Sequence, residues 1–182
     1  VSIQPGTHKL GPDNATLQVK TGRLGAAAKA GHNLVIDVTS WEATLDVGED
    51  PRQTSLVLDA DAGSLRVREG HGGAQKLGDD DKAEILKTID DDVLKGQAIE
   101  FRSTGVEASD GGSRLHVSGD LNMAGNSHPV DVDLRVGSDG DLSGSATVKQ
   151  TDWKIKPYSA LFGALKVTDE VEVVAEAKLP AS

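Results

Sequence analysis

Apolar and polar side chains alternate along most of this chain. Leu115, Val117, Gly119, Leu121 and Met123 share one face of a run whose other face is His116, Ser118, Asp120 and Asn122. Val130, Val132, Leu134 and Val136 alternate with Asp131, Asp133 and Arg135, and Val171, Val173, Ala175, Ala177 and Leu179 mainly with Glu172, Glu176 and Lys178. A period of two is the mark of a strand with one dry and one wet face. Fainter alternation over 16–23, 33–45, 55–61, 99–104 and 141–149 brings the expectation to about eight strands. Asp110-Gly111-Gly112, Gly125-Asn126-Ser127 and Ser138-Asp139-Gly140 supply residues that tolerate tight turns. Strands joined this closely pair antiparallel, and about eight of them remove their exposed edges by closing into a barrel.

One segment has a different period. Between Gly78 and Gly96, Ile85, Ile89 and Val93 form a stripe with Leu86 and Leu94 beside it, and Asp79, Asp80, Asp81 and Glu84 lie at the start. This predicts a helix over about 79–95, capped by Asp79 and ended by Gly96, whose apolar face covers an end or flank of the barrel. Successive carboxylates on a helix do not converge, so Asp90 to Asp92 reads as a solvated face and not a cation site. Gly70-His71-Gly72-Gly73 reads as a mobile connection from a strand at 64–68 to this helix.

The expected inward positions are mostly Ala, Val, Leu and Gly, which leaves room for a cavity. Rings are scarce, yet Trp153, Tyr158 and Phe162 fall within residues 150–165, "QTDWKIKPYSALFGAL". There, alternation sets Trp153 and Ile155 inward and Lys154 and Lys156 outward. Pro157 ends regular pairing. Tyr158, Leu161, Phe162 and Leu165 then recur at the three- and four-residue spacing of a short helical turn, which predicts an apolar cover over the barrel mouth.

The chain has 182 residues, which fits a single domain, 1–182, able to bury a core. With no cysteine, disulfides and thiolate metal sites are excluded. A net charge of -10 disfavours nucleic acid as a partner. No stretch reaches the roughly 18 apolar residues of a membrane span. The sequence begins VSIQPGTHKL without a signal peptide, which favours the cytoplasm, although an exported mature form reads the same.

No G-x-S-x-G elbow, phosphate-binding loop or H-E-x-x-H helix is present. The five histidines (His8, His32, His71, His116, His128) are scattered, with no metal-ligand spacing. His32, opening a strand at a barrel rim, is the candidate for meeting a polar headgroup. The expectation is no catalytic residue, no metal and no cofactor. A hydrolase or isomerase built on His32 or His128 with distant carboxylates is the minor alternative.

Five segments in order, "GHNLVIDVTSW" (31–41), "SLRVREGHGGAQKLGDDDKAEI" (64–85), "IEFRSTGVE" (99–107), "VSGDLNMAGNSHPVDVDL" (117–134) and "QTDWKIKPYSALFGALKVTDEVEV" (150–173), resemble the YceI-like family of bacterial lipocalin-like, polyisoprenoid-binding proteins. The last segment is most similar to an actinobacterial branch. The resemblance implies an all-β, lipocalin-like, antiparallel eight-stranded barrel with one helix packed beside it. It also implies an elongated apolar interior holding a long-chain amphiphile (a polyisoprenoid, isoprenoid quinone or fatty-acid derivative), and a homodimer. Phe101 and Trp153 match positions where the family places cavity-facing rings, and Leu121 and Met123 match its G-x-L-x-L strand. Lys154 stands where "DFGI" relatives have glycine. The ligand-lining set expected is Leu34, Ile36, Phe101, Leu121, Met123, Trp153 and Ile155, under a lid of Tyr158, Leu161, Phe162 and Leu165. The alternative is an interaction module with a filled barrel that docks a partner or dimerises through 157–165.

Overall fold

The computed structural model describes residues 3–179. Its strands are β1 (Gly6–Leu10), β2 (Ala15–Lys20), β3 (Arg23–Leu24), β4 (Asn33–Val38), β5 (Trp41–Val47), β6 (Ser55–Ala60) and β7 (Leu65–His71). Helix α1 (Asp79–Thr88) follows, and then β8 (Ile99–Ser109), β9 (Arg114–Met123), β10 (Asn126–Val136), β11 (Asp141–Lys149), β12 (Ser159–Ala160), β13 (Leu165–Val167) and β14 (Glu170–Lys178). Eleven of these form one curled antiparallel sheet in the order β1-β5-β6-β8-β9-β10-β11-β14-β2-β4-β7, and β12-β13-β3 form a second, small sheet.

Ten of the eleven strands nevertheless make a circuit of eight. β4 and β5 are two halves of the run 33–47, bent at Thr39-Ser40, and β6 and β7 are two halves of 55–71, bent at 61–64. The two runs pair along their length, Trp41 opposite Ala60 and Val38 opposite Leu65. Backbone bonds from Thr39 to Ser64 and from Asp61 to Ser40, both 3.0 Å, hold the corner. From β6 the circuit runs through β8, β9, β10, β11, β14 and β2, and returns to the first run at β4. The single strand expected over 33–45 is therefore bent, and its inward residues change parity at the corner: Leu34, Ile36 and Val38 before it, Trp41, Ala43 and Leu45 after it. The corner is a device for curling a sheet. β1, too polar to show a period, pairs with the edge of β5 opposite β6.

The second run pairs with β8 only through its β6 half, Val57 to Ala60 against Arg102 to Ile99. β7 has no strand on that side, and α1 packs there instead. Gly78, not Asp79, is the N-cap, and the Asp81 carboxylate accepts its N–H at 2.9 Å. From Ile89 to Leu94 the helix widens to π geometry, and Lys95 ends it at φ 56. Asp90, Asp91 and Asp92 are exposed.

Local chemistry sets the wall. Strand β9 buries Leu115, Val117, Gly119 and Leu121 on one face, with Phe101 opposite Leu121 on β8. A Cβ at Gly119 would stand 2.5 Å from Phe101 Cζ, so the glycine makes space for the ring to lie across its neighbour strand. The β9–β10 turn is Ala124-Gly125, both at positive φ, one residue earlier than the expected Gly125-Asn126-Ser127.

Candidate functional site

The barrel holds a cavity of about 810 Å³ that opens to solvent. Inward residues of every circuit strand reach it: Val19 of β2, Ile36 of β4, Leu58 of β6, Phe101 of β8, Leu121 of β9, Val132 of β10, Ala146 of β11 and Val173 of β14. Many of them, including Val19, Leu58, Val132, Ala146 and Val173, stay only half-buried although they face inward. Small aliphatic side chains on a barrel this wide do not meet at its axis, which is why the space remains. Ile85, Ile89, Val93 and Leu94 of the helical segment close the flank beside β7.

The polar lining is gathered mainly at the helix end, where Thr21, Arg23, His32, Gln75, Asp81, Glu84, Thr88, Tyr158 and Lys166 border the cavity. The half-buried Arg23 guanidinium donates to the carbonyl oxygen of Gly31 and, at 2.9 Å, to that of His71. Among the described residues it has no carboxylate at ion-pair distance. His32 donates through Nε2 to the Gln75 carbonyl oxygen at 2.6 Å. In the neutral ring this leaves Nδ1 as an acceptor. Gly72 and Gly73, at φ 80 and 79, lie directly over Arg23 and His32, and any Cβ at either would collide with the two side chains. The glycine run is thus a packed cover on the two polar groups.

Leu34, Ile36, Phe101, Leu121, Met123 and Ile155 all line the cavity, as do Tyr158 and Leu165 at its edge and His32. Two expectations are corrected. Residues Gln150–Trp153 form a 3-10 turn and not a strand, and Lys154 at φ 60 reverses the chain. This carries Trp153 out of the cavity wall. The indole is buried instead against the β9–β10 hairpin: Nε1 donates to the Leu121 carbonyl oxygen at 2.8 Å, and Asn126 Nδ2 donates to the Trp153 carbonyl oxygen at 2.9 Å. The His128 ring stands edge-on to it at 5.2 Å.

The cover after Pro157 is also not helical. It is a hairpin of β12 and β13 whose turn holds Phe162 and Gly163 at φ 55 and 85, and it pairs with β3. Leu165 packs on Gly31, where a Cβ would be 2.6 Å from Leu165 Cδ1. Phe162 points away into solvent. The Leu161 side chain lies outside the described residues. Lys154 and Lys156 are exposed, as their alternation with Trp153 and Ile155 suggested.

Sequence reasoning missed Arg23, Trp41 and Gln150 in the lining. Trp41 carried a signal, since it begins the shifted alternation after the corner. His116 and His128 do not border the cavity. His116 sits on the outer face with Asp133 at 2.7 Å and Asp131 at 3.7 Å. Its pKa is raised, first by the hydrogen bond to Asp133 and then by the surrounding carboxylates.

A family model for the YceI-like domain matches residues 9–179. The chain belongs to the YceI-like family. Its fold is the lipocalin-like barrel of that family, with a corner and a helix where a plain meander would close. Among solved structures, this YceI-like protein is similar to Burkholderia cenocepacia BcnA, at 16% identity and TM-score 0.65, over 91% of this chain and 96% of that one. It is also similar to the Campylobacter jejuni YceI protein, at 15% identity and TM-score 0.57, over 81% and 84% of the two chains. At such identities the likeness is one of fold. No curated protein matches the sequence. No helix among the described residues is long and apolar enough to cross a membrane.

Proposed function

We propose that this YceI-like protein is a non-enzymatic carrier or store for one long-chain amphiphilic lipid: a polyisoprenoid, an isoprenoid quinone or a fatty-acid derivative. The observation that carries the reading is the cavity of about 810 Å³, apolar along the barrel and polar at one end. At the roughly 30 Å³ that a water-sized group occupies, it holds on the order of 25 such groups, enough for a long chain, and its apolar lining along the barrel suits one. Leu34, Ile36, Phe101, Leu121, Met123 and Ile155 would contact the chain, and Tyr158 and Leu165 would flank its exit. His32, with Arg23 beside it, would meet the headgroup. Residues 1–182 would act as one unit. A filled barrel serving only as an interaction module fits the cavity less well, because its walls leave that space open.

Organic extraction of gently purified protein tests the proposal. The expected result is one amphiphile per chain, replaceable in the delipidated protein by an added prenyl alcohol or quinone. A delipidated protein that takes up none of these at micromolar concentration would refute it.

A further inference from the structure

The exposed large hydrophobic residues among those described are Leu24, Tyr158 and Phe162, and all three lie in one place. Leu24 is in β3, Tyr158 immediately precedes β12, and Phe162 is the tip of the β12–β13 hairpin. Phe162 is 112% exposed and also holds a positive φ, so solvation and backbone both count against it. The segments 23–31 and 156–167 are joined by the β3–β13 pairing and by the Ala27 N–H, which donates to the Ala164 carbonyl oxygen at 2.8 Å. Together they carry Arg23, Lys29, Lys156 and Lys166 and no carboxylate, in a chain of net charge -10. The same patch borders the cavity through Arg23, Tyr158, Leu165 and Lys166.

We propose that this patch docks the protein on an anionic bilayer surface, with Phe162 entering the headgroup–acyl boundary and the lysines meeting lipid phosphates. An apolar tip on segments that carry the exposed Lys29, Lys156 and Lys166 is the chemistry of interfacial binding. The negative charge behind the net -10 lies outside these two segments, so an anionic surface favours this patch over the rest of the protein, with Asp81 and Glu84 on the helix side of the cavity as opposing charges along its lining. The cavity edge then faces the bilayer, and a lipid can pass between them without crossing water. A second copy fits less well: a two-fold contact through this patch would set four cations against four with no carboxylate between them. The docking does not depend on the cavity being occupied, so it goes beyond the carrier reading.

Co-sedimentation with vesicles of equal parts phosphatidylcholine and phosphatidylglycerol tests it. Phe162→Asn is the informative variant, since asparagine tolerates positive φ and the fold is expected to keep its melting temperature. Wild-type protein is expected to bind, about tenfold more tightly than Phe162→Asn. Lys29→Gln and Lys166→Gln are each expected to weaken binding about fivefold, and added salt to weaken it further. Absence of wild-type binding, or equal binding by Phe162→Asn, would overturn the proposal, as would a solution dimer that this variant dissolves. Solvent extraction separates the two readings. Protein that carries lipid but ignores vesicles overturns only the docking, and an empty barrel that binds vesicles overturns only the carriage.

Discussion

The indole Nε1 of Trp153 donates to the carbonyl oxygen of Leu121 across 2.8 Å, tying the 150–155 turn to the strand whose Leu121 side chain lines the cavity. The ring therefore supports the wall from behind. Trp153→Phe keeps most of the apolar volume and leaves that carbonyl without its donor, which should cost about 1–3 kcal/mol in urea denaturation. Trp153→Ala should cost about 3–5 kcal/mol. Because Trp153 is outside the cavity, the folded Trp153→Phe protein should retain its ligand stoichiometry. A loss of stoichiometry with unchanged stability would place the ring in the binding site after all.

Lys154 adopts φ 60 at the end of this turn, a conformation glycine takes freely. The reversal is kept here with a side chain in place. Lys154→Gly should raise stability by about 1 kcal/mol with no change in ligand content, read by thermal and urea melts. A destabilised variant would mean that the exposed lysine makes a favourable interaction larger than its backbone cost.

On the outer face, His116 titrates above its usual value because it bonds Asp133 and faces Asp131 and Glu107. A folded pKa raised above the unfolded one stabilises fully below the ordinary histidine range, and that stabilisation disappears as pH rises through the folded value. Asp169 has the opposite sign: the Thr151 hydroxyl, 2.7 Å away, and the Thr151 N–H hold its pKa down, so its contribution is present above the ordinary carboxylate range and is lost on acidification. Asp133→Asn should lower the His116 midpoint in an NMR titration and leave Asp169 unmoved. An unshifted His116 midpoint would contradict the pairing.

Much of this architecture was legible in alternation, because every circuit strand buries one face and wets the other. The eight runs expected from the sequence all recur as strands, although the sheet holds eleven, and the separate strand read at 64–68 continues 55–61 past the bend. The corner escaped notice although its signal was present: apolar parity flips between Val38 and Trp41 and again between Ala60 and Leu65. The hairpin at 157–167 was misread because Tyr158, Leu161, Phe162 and Leu165 mimic a helical stripe, while the positive φ of Phe162 cannot be read from a phenylalanine. The apolar lining followed from the wall strands. Arg23 did not, because its role depends on where residues 31 and 71–73 return to cover it.

Native mass spectrometry of wild-type protein beside Ala146→Phe asks whether the cavity is a lipid site. Ala146 lines the cavity from β11 opposite Val173, so a phenylalanine there projects a ring into open space and not into packed core. The expected outcome is a bound amphiphile on the wild type, a markedly reduced bound fraction on Ala146→Phe, and a melting temperature for the delipidated variant no lower than that of the delipidated wild type. Wild-type protein that stays at its bare chain mass after exposure to prenyl alcohols, quinones and fatty acids would contradict it, as would equal loading of the two proteins.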